Sequence, residues 1–207
     1  MDKYLENSEY IDWRHLAVTV KAAELSDGCT AVETVAKRCF EFVRDTIKHS
    51  WDYRQGPVTC RASEVLLHGT GYCYAKSHLL AALLRANGIP TGLCYQRLSV
   101  ETGGQRNCLH GLNAVYLEQY GWYRLDARGN KAEVAAEFCP PTEKLAFSVI
   151  QASESDLPEI WSVPLPVVIT ALTQHQTVEQ VFEHLPDVEL IKTIYCRSWS
   201  SLNQSTP

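Results

Sequence analysis

The hydrophobic period of this chain changes from helical to strand-like at Asn87-Gly88-Ile89-Pro90, and that switch limits the folds open to it. Before it, apolar residues recur at helical spacing. After it, they form short runs rich in Tyr, Leu and Val, separated by turn residues. Residues 72–86 make the strongest helix: Ala75, Leu79, Leu80, Ala82, Leu83 and Leu84 load its core side, and Asn87-Gly88 with Pro90 stops it. A capping box of Thr30 and Glu33 opens another helix, with an apolar stripe of Val32, Val35, Ala36, Cys39, Val43 and Ile47. Weaker helical spacing covers 11–24, where Ile11, Leu16, Val20 and Ala23 are expected inward, and 63–67 reads as a short helix stopped by Gly69 and Gly71.

Strands are expected over 93–100, 108–117 and 121–127, with turns at Gly103-Gly104 and at Gln119-Tyr120-Gly121. Helices followed by antiparallel strands indicate an α+β fold. The whole chain, 1–207, is read as one domain: a core over about 30–140, closed by Pro140-Pro141, and a C-terminal helical appendage over 141–207. That appendage holds an apolar stretch at 163–172 and a helix capped by Thr177 with Gln180.

A net charge of −5 argues against a nucleic-acid partner. No apolar run is long enough to span a membrane, and the opening MDKYLENSEY lacks the pattern of a signal peptide. The expectation is a cytoplasmic protein, so its eight cysteines should be reduced thiols. They stand at 29, 39, 60, 73, 94, 108, 139 and 196, without the close pairs of a zinc site, and no two histidines have the i, i+4 spacing of a metalloprotease helix. Neither a metal nor a cofactor is expected.

Cys73 differs from the other seven, which read as packing thiols. It follows Gly69-Thr70-Gly71-Tyr72 and opens the most apolar helix. Unpaired N–H groups and the positive end of the helix dipole favour a thiolate there, and the same groups can hold a developing oxyanion. A nucleophile needs a base, and the base needs an orienting group. Of the histidines at 15, 49, 68, 78, 110, 175 and 184, His78 faces away from Cys73 and His68 suits a helix end. His110 lies in a strand beside Gly111, and Asp126 follows in the next strand.

In this order the motifs resemble the transglutaminase-like superfamily, of the bacterial stand-alone type, whose members share a papain-like core. The carrying residues are Ala62-Ser63-Glu64-Val65-Leu66, Gly71-Tyr72-Cys73, Leu83-Leu84-Arg85-Ala86-Asn87-Gly88-Ile89-Pro90, His110-Gly111 and Gly121-Trp122-Tyr123-Arg124-Leu125-Asp126. Together they span about 40–130. Two positions depart from the family pattern: Asp126 is followed by Ala127-Arg128 in place of Pro-Thr, and His110 by Gly-Leu without the frequent Trp. The resemblance implies N-terminal helices with the nucleophile helix packed on an antiparallel sheet. It also implies Cys73 as nucleophile, His110 as base and Asp126 as its orienting partner.

The implied reaction is attack on a peptide, protein or small amide substrate through a Cys73 thioester, resolved by water or by an amine. Two alternatives remain: a binding or scaffold module that keeps the fold without catalysis, and a redox-sensing thiol protein.

Other candidates surround these three. The Cys73 N–H is one oxyanion donor, with Trp51 and His49 as candidates for the second. Tyr72, Tyr74, Lys76, Trp122 and Arg128 are candidate substrate-binding residues, each with a plainer role open to it. Arg124 and Arg128 share a face with Asp126 and suit either a substrate carboxylate or neighbouring acids. Asn113 reads as a polar residue of the strand face. A three-residue turn at Gln119-Tyr120-Gly121 would pair Glu118 with Trp122 and set Asp126 opposite Ala114. His110 and Asp126 would then share a face but stand about 13 Å apart along the sheet, so their contact requires another register or a β-bulge.

Overall fold

In the computed structural model, which describes residues 1–101 and 106–190, the most apolar helix is the centre of the protein. Every residue of α5 (Cys73–Ala86) from Cys73 to Arg85 is buried. A helix covered on all sides must pair its polar groups, and this one pairs its long polar side chains with backbone carbonyls, although His78 Nε2 is buried without a partner. Lys76 Nζ donates to the Ile47 carbonyl at 2.5 Å, His78 Nδ1 lies 2.7 Å from the Cys60 carbonyl, and Arg85 donates to Glu6, Thr91 and Ser162. Around it pack α1 (Leu16–Ser26), α2 (Val32–Glu41) and α4 (Ala62–His68). A π turn (Phe42–Thr46) continues α2 into β1 (Lys48–His49) and α3 (Ser50–Tyr53). β1 pairs in parallel with β2 (Thr70–Gly71), immediately before Cys73.

Against the other side of α5 lies an antiparallel sheet in the order β5-β4-β3-β8, from β3 (Thr91–Ser99), β4 (Asn107–Leu117), β5 (Gly121–Leu125) and β8 (Ser155–Asp156). Odd-numbered residues of β4, among them Leu109, Val115 and Leu117, face the main core. Leu112 and Ala114 form a smaller cluster with Cys94 on the outer face. The hairpin of β6 (Glu137–Cys139) and β7 (Thr142–Lys144) turns at Pro140-Pro141.

The segment beyond that hairpin contributes more than helix. β8 extends the sheet, Trp161 bridges Leu93, and Pro186 accepts the Leu109 N–H at 2.7 Å. Its helices α6 (Pro166–Thr173) and α7 (Val178–Glu183) bury Val168, Leu172, Val178 and Val181 in the main core. Thr177 and Gln180 form the expected capping box.

Three local expectations need correction. Thr30 does not cap α2: the helix begins one residue later, with Ala31 at the N-cap and no side-chain cap, and Val32 is half exposed. The inward face of α1 is Val18 and Ala22, whereas Leu16 and Val20 are exposed; Ile11 is buried but precedes the helix. A weak apolar pattern left two faces open, and packing on α5 chose between them.

The register of β4 and β5 differs as well. Gly121 adopts a left-handed φ of +74°, yet it is already paired with Leu117, and the loop is Glu118-Gln119-Tyr120. The Tyr120 N–H closes the turn on the Leu117 carbonyl at 2.9 Å. Tyr116 therefore faces Trp122, and continuing the ladder past Asn113–Leu125 sets Asp126 level with Leu112. Asp126 thus stands two residues from His110 rather than four, about 7 Å along the strand, a gap two side chains can close. The Gly103-Gly104 turn and Cys196 lie outside the described residues.

Candidate active site

Cys73 is the first residue of α5, with Tyr72 at the N-cap and the first intrahelical bond made by the Lys76 N–H. The N–H groups of the first turn are therefore unpaired within the helix. The thiol is 7% exposed, and its Sγ accepts the Gly111 N–H at 3.5 Å. Gly111 is needed at this crossing: a Cβ there would lie 3.0 Å from Tyr74 Cδ1 and 3.1 Å from Tyr74 Cα. Close approach of β4 to the helix head brings the neighbouring His110 to the sulfur.

His110 Nε2 lies 2.7 Å from Asp126 Oδ2, which leaves Nδ1 as the ring nitrogen free to serve the neighbouring Cys73 sulfur. Burial disfavours the charged ring, but Asp126 and then the Cys73 sulfur outweigh it and raise the His110 pKa to about 10. Asp126 is fully buried just past the end of β5. Its Oδ1 accepts the Arg128 N–H at 3.1 Å and its Oδ2 the Ala146 N–H at 3.1 Å. Burial opposes its charge, yet His110 and these two N–H groups hold it below the usual carboxylate range. The His110 ring is steadied edge-on by Phe147, with centroids 5.0 Å apart.

A cleft of about 820 Å³ opens onto Cys73 and His110. His49, Trp51, Tyr72, Tyr74 and Arg128 line it, as do Asp52, Phe147 and Phe182. Tyr72 and Tyr74 are almost wholly buried and anchored by their hydroxyls, on the Val178 and Leu109 carbonyls. Trp51 is sandwiched, with the Phe182 ring stacked 3.5 Å away on α7 and the Arg54 guanidinium 3.3 Å from its centroid. His49 is buried edge-on to Tyr72. Burial, then Arg128, drives its pKa well below the ordinary value, so it is neutral near pH 7.

Two candidates fall outside the cleft. Lys76 has no exposed surface: its amino group ties α5 to the carbonyls of Ile47 and Arg44, and burial followed by Arg128 lowers its pKa to about 7. One turn along a helix buried on every side points inward, which no amphipathic reading of a lysine anticipates. Trp122 packs on the outer face of the sheet, 4.7 Å from Tyr4 and 5.6 Å from Tyr116 by ring centroid. Arg124 shares that face and binds Glu143 and Asp156. Asn113 points to α5, donating to the Ser77 and Gly92 carbonyls.

Asp52 is a cleft residue that no sequence motif singles out. It sits in α3 and takes Arg128 Nη1 and Lys131 Nζ, each at 2.7 Å. Burial disfavours its charge, but these partners lower its pKa to about 2. Arg128 thus gives Asp126 only its backbone N–H, while its guanidinium is engaged elsewhere. The i, i+3 spacing of His49 and Asp52 was the one available hint, whereas nothing local marks Phe147 or Phe182.

Among the described residues seven cysteines are free thiols, and burial pushes Cys39, Cys60, Cys94 and Cys108 up to about 12. No group of three or more His, Cys, Asp or Glu among the described residues is placed to hold a metal ion. No helix among them is long and apolar enough to cross a membrane.

A helix-borne cysteine packed against an antiparallel sheet is the papain-like, transglutaminase fold. The chain belongs to the transglutaminase-like superfamily, whose family model matches residues 20–127, more than half of its length. It resembles the crystal structure of a candidate cysteine protease from Cytophaga hutchinsonii, with TM-score 0.50 and 18% identity over 60% of this chain. The match covers 40% of that protein's chain. Weaker likenesses include the periplasmic domain of TgpA from Pseudomonas aeruginosa, with TM-score 0.46 and 18% identity over 60% of this chain and 46% of the other. Another is red sea bream transglutaminase, with TM-score 0.43 and 13% identity over 56% and 27%. No curated protein matches the sequence.

Proposed function

We propose that the protein is a cysteine hydrolase or acyltransferase acting on peptide or amide bonds, with Cys73, His110 and Asp126 as its catalytic triad. The observation that carries this reading is the 2.7 Å contact between His110 Nε2 and a fully buried Asp126, on the residue next to Gly111, whose N–H reaches the Cys73 sulfur at 3.5 Å. A buried carboxylate that keeps its charge is costly unless paired, and here the pairing orients an imidazole toward a thiol at a helix head.

The Cys73 thiolate attacks the substrate carbonyl carbon, and the first-turn N–H groups of α5 receive the developing oxyanion. His110 Nδ1–H gives its proton to the departing amine as the carbon–nitrogen bond breaks, leaving an acyl-thioester on Cys73. Neutral His110 then takes a proton from water, or from an incoming amine, as the new nucleophile displaces the sulfur. Asp126 holds the proton on Nε2 throughout and stabilises the imidazolium. The open cleft, with a volume of about 820 Å³, suits an extended peptide segment. The seven free thiols among the described residues suit a reducing compartment, the cytoplasm in this reading.

The test is the pH dependence of Cys73 alkylation by iodoacetamide, followed by peptide mapping so that the exposed Cys139 is scored separately. Cys73 should react readily near pH 6, and His110→Ala should slow it at least about tenfold there. A Cys73 that reacts only in the range of a free thiol, indifferent to His110, would leave the binding-module reading in its place.

A further inference from the structure

Residues 143–147 cross the outer face of the sheet and end against the Cys73 centre. The Ala146 N–H reaches Asp126, the Phe147 ring stands against His110, and Leu145 packs on the cluster of Cys94, Leu112 and Ala114. Beyond the short β6–β7 hairpin the segment has no ladder of its own, so side chains must hold it. Arg124 grips its start: Nε and Nη2 fork onto the Glu143 carboxylate at 2.7–3.2 Å. The same guanidinium uses Nη1 to bind Asp156 Oδ1 at 2.7 Å.

Asp156 also accepts from Gln96 Nε2 at 3.0 Å, and that nitrogen lies 3.4 Å from the Phe147 carbonyl. Gln96 is buried and faces Asp156 on one neighbouring strand and His110 on the other, so the three residues form one row across the sheet. Arg124 thereby fastens both flanks of the segment that fixes Asp126 and His110, without touching either residue.

We propose that Arg124, acting through Glu143 and Asp156, is a positioning residue for the Asp126–His110 pair. This rests on the triad reading above. Loss of the clamp lets residues 143–147 lift, removes the Ala146 N–H from Asp126 and frees the His110 ring to turn.

Charge and position can be separated, because Arg124→Ala removes a cation and Glu143→Ala an anion from the same contact. A through-space field would move Cys73 reactivity in opposite directions, whereas a lost clamp moves it the same way. Each variant should lower the Cys73 alkylation rate near pH 6 by about tenfold, equivalent to about one pKa unit, and should flatten its pH profile. On an Asp126→Asn background neither should lower it further, since groups that act through one residue are not additive. Lys144→Ala, which breaks an exposed pair with Glu137 on the same hairpin, is the control and should have no effect.

Opposite effects, no effect, or full additivity with Asp126→Asn would overturn the proposal. If Arg124→Ala does not fold, Arg124→Gln carries the same comparison. Should His110→Ala leave alkylation unchanged, the triad itself fails; should it slow alkylation while the Arg124 and Glu143 variants do not, only the clamp fails.

Discussion

Replacing Asp126 with Asn keeps the shape of the side chain and removes its charge. Three donors converge on the carboxylate: His110 Nε2 at 2.7 Å and the Ala146 N–H at 3.1 Å on Oδ2, and the Arg128 N–H at 3.1 Å on Oδ1. An amide cannot satisfy all three. With its oxygen in the Oδ2 position, its NH₂ meets the Arg128 N–H. Turned over, the NH₂ meets Ala146 and donates to His110 Nε2, driving the ring proton to Nδ1, where a base for Cys73 is lost. Either orientation leaves a buried donor unpaired, at a cost of about 1–3 kcal/mol.

The lost charge weighs as much. Opposite unit charges centred about 4 Å apart attract by ~4 kcal/mol at an effective dielectric near 20. That corresponds to about three pKa units, the scale of the rise that brings His110 to about 10. Without Asp126, burial acts on the ring unopposed by a carboxylate. The protonated ring beside Cys73 is then depleted, and alkylation of Cys73 near pH 6 should slow by roughly a hundredfold. Peptide mapping across roughly pH 5 to 9 reads the profile, with exposed Cys139 as internal reference. A folded Asp126→Asn protein with the wild-type rate and profile would exclude the Asp126 charge as a source of Cys73 reactivity.

Two further outcomes follow from the same geometry. Gly111→Ala sets a methyl group 3.0–3.1 Å from Tyr74 Cδ1 and Cα, where the first turn of α5 has no room to withdraw. Urea unfolding should show a loss of ~1–3 kcal/mol, and Cys73 reactivity should fall with it; stability and reactivity both unchanged would contradict the contact. In acid, Asp52 at about 2 and Asp126 below the usual range contribute stability that is complete above the unfolded carboxylate value and lost as pH falls through the folded one. His49, neutral when folded, adds to the decline once the unfolded imidazole protonates, whereas His110 is protonated in both states and adds no slope there. The melting midpoint should therefore fall below about pH 6 and more steeply below about pH 4, and Asp52→Asn should reduce the steeper part. An unchanged slope in that variant would exclude Asp52 as a contributor.

Much of the architecture is legible along the chain because its cues are local. The apolar-rich run that becomes α5, its Asn87-Gly88 stop and the Gly-Tyr-Cys approach to its head are short-range features. So is the alternation of the strands, which assigns His110 and Asp126 to a common face without structural information. Partners supplied by distant segments are not legible. Trp51 meets Phe182 across the cleft, Asp52 meets Arg128, and the Ala146 N–H completes Asp126. Lys76 and Trp122 look like site residues only as long as the surfaces they pack against are unknown.

Local residue order places a thiol at a helix head and an imidazole and a carboxylate on neighbouring strands of one α+β unit. Their meeting depends on long-range packing. A register two residues tighter than the turn residues suggested, and Gly111 pressed against Tyr74, bring His110 between Asp126 and Cys73. The physical reason is one of scale. Propensity and capping act over a turn or two, whereas register, close approach and the pairing of buried charge depend on side chains brought from the far end of the chain.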